Sequence, residues 1–191
     1  LVVVGPAERG GRGTYPQGTS GSFRGFGVDV DVRLGAGQGA EEGRELPPSL
    51  AVAAWLLERT GWADAPVEGL GVGEPLEAER CIQVGRDVAA RAERVALLVM
   101  GDASACRTLK APGYLDERAA PFDAEVARAL GAADVAALRA LDAELAYELK
   151  ASGRAPWQIL AEAADGGGLG GSLLGGGAPC GGGGGGRGGA G

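Results

Sequence analysis

Val95-Ala96-Leu97-Leu98-Val99-Met100, running straight into Gly101-Asp102, is the stretch that sets the fold class. An unbroken Val- and Leu-rich run that stops on Gly-Asp fits a strand covered on both faces, and it predicts Leu98 in the core of a central strand. Leu1-Val2-Val3-Val4, ending at Gly5-Pro6, carries the same signature. Between the two lies a strong helix signal. Pro47-Pro48 opens it, Ala51, Trp55 and Glu58 follow one side, Val52, Leu56 and Arg59 the next, Leu57 widens the apolar face, and Gly61 closes it.

Working outward, Val28, Val30 and Val32 alternate with Asp29, Asp31 and Arg33, which predicts a half-exposed strand between two Gly-rich loops, 10–27 and 34–45. Residues 63–78 read as loop, and a second helix is expected over 79–93. A third follows Pro121 with Phe122, Val126 and Leu130 on one stripe. A fourth starts at the N-cap Asp134, with Val135, Leu138, Leu141, Leu145 and Leu149 inward. Pro156 begins the last. Strands separated by helices predict an α/β domain with a central, mostly parallel sheet and helices on both faces, spanning 1–164. From Asp165 to Gly191, 17 of 27 residues are Gly, so 165–191 is expected to be a disordered tail. A chain that opens on Leu1-Val2-Val3-Val4 without Met is expected to be a piece of a longer protein whose N-terminal part is missing.

Composition removes several function classes. A net charge of −7 with scattered basic residues argues against a nucleic-acid surface. Apolar runs fall short of the ~20 residues a membrane span needs. Three cysteines, Cys81, Cys106 and Cys180, form no C-x-x-C pair, so a reducing cytosol is expected. The sequence holds no histidine, which excludes Ser-His-Asp and Cys-His nucleophile systems and imidazole metal sites. Gly5 to Gly10 lacks the Lys of a phosphate loop, and Gly69-Leu70-Gly71-Val72-Gly73 reads as a loop rather than a dinucleotide fingerprint. Asp29 and Asp31, and Glu41-Glu42, read as solvated. The loop that leaves Met100 is the natural place for a ligand, and Asp102, Ser104, Cys106, Arg107, Lys110 and Tyr114 are the candidate pocket residues.

The stretches Val95 to Ser104, Lys110-Ala-Pro-Gly-Tyr-Leu-Asp-Glu-Arg118 and Pro121-Phe-Asp123 resemble the LigB-type class III extradiol ring-cleavage dioxygenase superfamily, in its Ala-rich, actinobacterial subunit-B-like branch. Leu1 to Pro6, Gly21 to Gly27, Leu46-Pro-Pro-Ser-Leu50 and Gly153-Arg-Ala-Pro-Trp-Gln158 extend the resemblance over most of 1–164. The resemblance implies Fe(II) held by two His and one carboxylate, with a further His as acid–base in ring opening. Here the position of one metal ligand is Ala7 and that of the acid–base His is Ala105. Another ligand belongs upstream of Leu1, and the carboxylate to the Gly-rich end. The expectation is a cytoplasmic, metal-free, LigB-like protein with no catalytic residues of the family left, binding a small molecule or a protein partner. The alternatives are a residual dioxygenase in a longer chain, a different chemistry built on Asp102 and Cys106, and a damaged fragment without function.

Overall fold

The computed structural model describes residues 1–37, 43–165, 171, 172 and 174. Glu41-Glu42, Cys180 and nearly all of the Gly-rich tail lie outside the described residues. Among the described residues, strand β1 (Val2–Pro6) is the centre of a four-stranded mixed sheet. It pairs in parallel with β5 (Glu68–Val72) on one side and β6 (Leu97–Val99) on the other. The short β2 (Gly13–Tyr15) runs antiparallel outside β5, giving the order β2-β5-β1-β6. A separate antiparallel pair joins β3 (Ser20–Ser22) to β4 (Asp31–Arg33).

Alternation along β1 divides the core. Val3 packs with Leu50, Ala53, Ala54 and Leu57 of helix α1 (Pro48–Thr60). Val2 and Val4 point the other way, against Cys81 and Val88 of α2 (Ala78–Ala89) and Ala155 and Ile159 of α6 (Arg154–Ala163). The sheet is therefore covered on both faces, as an α/β chain requires. An outer layer of α3 (Ala119–Gly131), α4 (Val135–Arg139) and α5 (Ala143–Glu148) packs on α6 through Phe122, Val126, Leu138, Ala146 and Trp157. Squeezed between sheet and outer layer, α6 is buried nearly all round, polar residues included. Arg154 donates to the Leu76 carbonyl at 2.7 Å, Gln158 to the carbonyls of Arg139 and Leu141 at 3.0 and 3.1 Å, and Glu162 pairs with Arg86 and Arg139.

Several expectations are corrected. The run Val95–Met100 forms a short edge strand, and Leu98 is only partly buried. Its apolarity answers three neighbours instead: Leu97 faces the α2–α6 cluster, Leu98 the α1 cluster and Val99 the outer helices. Residues 63–78 are not all loop, because Glu68–Val72 is an interior strand whose glycines are steric. A Cβ on Gly69 would sit 3.0 Å from Leu34 and Leu50, and one on Gly71 would run into the Gly11 carbonyl. Loop 10–27 contains β2 and β3. The alternating strand is only Asp31–Arg33, with Val28 and Val30 exposed and Asp29 and Asp31 paired to Arg24 at the surface. The inner face of α1 is Leu50, Ala53, Ala54 and Leu57, leaving Val52 and Leu56 part-exposed. The second helix stops at Ala89. The fourth splits in two, because the Asp142 carboxylate accepts the Glu144 and Leu145 N–H groups and caps a fresh start. The last helix begins at Arg154, two residues before Pro156.

Candidate functional site

All three parallel strands deliver their carboxyl ends to one cleft of about 890 Å³. Open α/β sheets place ligands there, because loops leaving adjacent strands diverge and leave a crevice. Pro6 and Ala7 follow β1, Glu74 and Pro75 follow β5, and Met100, Gly101 and Asp102 follow β6. The amino end of α1 closes one side with Pro47, Pro48, Ser49 and Val52. It lies close because Gly5 has no side chain: a Cβ there would meet Ser49 Oγ at 2.5 Å. Ser49 Oγ donates instead to the Pro6 carbonyl at 2.7 Å, tying helix to strand.

Glu74 is the most perturbed acid in the cleft wall. Burial pushes its carboxyl up to about 7, although the Arg154 guanidinium and the Ala155 N–H favour the charged form. Arg154 Nε stands 3.9 Å from Glu74 Oε2, too far for a hydrogen bond, and Oε1 is buried without a hydrogen-bond partner among the described residues. Arg154 also donates to the Glu74 and Leu76 carbonyls, which fixes the chain leaving β5. A carboxyl poised near neutrality can hold or release a proton at working pH, the property expected of a functional acid–base group.

Of the six residues singled out in the sequence, Asp102 lines this cleft. Its carboxylate accepts a long 3.4 Å bond from Ser152 Oγ, and its carbonyl accepts the Ser152 N–H at 3.1 Å. The other five are not among the lining residues. Ser104 N and Oγ both donate to Asp123 of α3, at 2.8 and 2.9 Å, and Arg107 pairs with the same carboxylate at 2.9 Å. Cys106 is buried in the outer-helix core, its thiol 3.3 Å from the Leu149 carbonyl. Lys110 and Tyr114 are exposed. The loop after β6 is thus largely an anchor between strand and α3, and Asp102 and Cys106 do not share a site.

Sequence reading missed Glu74, Arg12, Ser49 and Ser152. Glu74 stands just beyond β5 as Asp102 stands just beyond β6, a symmetry hidden while β5 read as loop. Iron does not fit the residues present. Ala7, at the position resembling a family ligand, offers a methyl group to the cleft wall, and the sequence has no imidazole for a facial triad. Among the described residues no three His, Cys, Asp or Glu side chains converge as a metal-holding group, and no helix is long and apolar enough to cross a membrane. In comparisons with known proteins, no family model matches the chain and no curated protein is similar to it.

Proposed function

We propose that this chain is a cytoplasmic, LigB-like α/β domain that binds a small molecule in the cleft beyond β1, β5 and β6, without iron and without ring cleavage. One observation carries the reading: a cleft of about 890 Å³ sits at the carboxyl ends of the parallel strands, and Ala7 is on its wall. Mostly apolar walls with a few polar groups suit a small organic ligand. The resemblance over 1–164 supports the fold assignment, and the absence of histidine argues against the family's chemistry.

The reading is tested in two steps. After anaerobic Fe(II) loading and desalting, the chain is expected to retain far less than one iron per molecule and to leave protocatechuate unopened. Amphipathic fragments are expected to shift amide resonances around Ala7, Ser49 and Met100, and Val52→Trp, at the part-exposed rim, to suppress those shifts. Stoichiometric iron with turnover would replace this proposal by the enzyme. Fragments that leave the cleft unperturbed would remove the binding function.

A further inference from the structure

Arg12 is the only Lys or Arg among the residues lining the cleft, and no described residue gives its guanidinium an ion pair or hydrogen bond. Its place is nevertheless built. The Arg44 guanidinium donates to the Arg12 carbonyl at 2.7 Å and to the Gly10 carbonyl at 3.3 Å while lying over the Tyr15 ring. The Arg12 side chain rests on Gly73, where any Cβ would collide with it. The same cleft is lined by the apolar groups of Pro47, Pro48, Val52, Pro75 and Met100.

We propose that the ligand is an organic monoanion, a carboxylate carried on an apolar body, with Arg12 as the anchor of the carboxylate. This rests on the small-molecule reading of the cleft and deepens it. A planar guanidinium offers paired N–H donors that match a carboxylate, and such charge-assisted bonds are the strong ones. A cationic ligand would meet Glu8 and Asp102, which are exposed as Arg12 is, while the Glu74 oxygen that lacks a partner is closed to solvent, so an amine of the same shape is the direct competitor.

The test uses three probes of one shape, cyclohexanecarboxylate, cyclohexylmethanol and cyclohexylmethylamine, titrated into the full chain and followed by amide resonances of cleft residues. The carboxylate is expected to bind tightest, and Arg12→Gln to weaken it about tenfold, the scale of one charge-assisted interaction. If the alcohol or the amine shifts the same residues as strongly and Arg12→Gln changes nothing, the anion assignment fails and the small-molecule reading stands. If none of the three perturbs the cleft, both fall.

Discussion

Strands β5 and β6 flank the same central strand, yet they are built on opposite principles. Glu68-Gly-Leu-Gly-Val72 carries two glycines and lies inside the sheet, paired on both sides. Leu97-Leu-Val99 is wholly apolar and lies at the edge, paired on one side among the described residues. Apolarity records how many faces of a strand are covered, not how many neighbours it has within the sheet. β6 has helices on both faces, so it needs large side chains. On the β5 flank Leu34, Leu50 and the Gly11 backbone crowd in so closely that side chains must vanish.

The largest expected effect follows directly. Gly71→Val should destabilise the chain by about 3 kcal/mol or more, because the new side chain meets the Gly11 carbonyl, which is backbone and cannot rotate away. Urea unfolding monitored by tryptophan fluorescence would measure it. A loss below about 1 kcal/mol would mean β5 is loosely seated, and the contrast with β6 would dissolve.

The carboxyl ends of the two strands sharpen the contrast through pH. Glu74, beyond β5, is largely buried, while Asp102, beyond β6, is exposed. The folded-state value of Glu74, about 7, stands above the 4.5 of a free carboxyl, so between them the folded chain holds a proton that the unfolded chain has released. Its contribution is full below the unfolded value and is lost as pH rises through about 7. Between about pH 5 and about pH 8 this amounts to about 2 kcal/mol. The stability of Glu74→Gln relative to the parent should rise by that amount over the same span. Parallel pH profiles for parent and Glu74→Gln would place Glu74 in solvent.

Much of the fold is legible along the chain wherever one residue pattern meets one environment. Val2, Val3 and Val4 read directly as a covered strand because all three side chains are buried, and Pro47-Pro48 to Gly61 marks α1 nearly to the residue. Legibility fails where local chemistry and tertiary demand diverge. The stripe from Val135 to Leu149 keeps helical spacing across a break, because Asp142 caps a second helix without disturbing which residues face inward. β5 is illegible for the opposite reason, since glycines that signal a turn in isolation are here the imprint of neighbours far along the chain, Leu34, Leu50 and Gly11. The site inherits that blindness. Asp102 could be placed because β6 could be seen, and Glu74 could not because β5 was hidden.

The smallest effect bears on the strand whose sequence promised most. Leu98→Ala would cost ~2–5 kcal/mol at a fully buried position, where the lost transfer energy adds to the cavity left behind. Leu98 aligns with Val3 and packs against the α1 cluster, so the substitution does remove contacts. At a part-exposed site on an edge strand, however, some of the side chain already meets water, and water can enter where the methyl groups leave. The expected loss is therefore about 1.5 kcal/mol in the same urea experiment. Val3, which has no exposed surface, is the control: Val3→Ala removes fewer carbons yet should cost at least as much as Leu98→Ala. A Leu98→Ala loss above about 3 kcal/mol, or one clearly larger than Val3→Ala, would put β6 in the interior of the sheet and reverse the comparison.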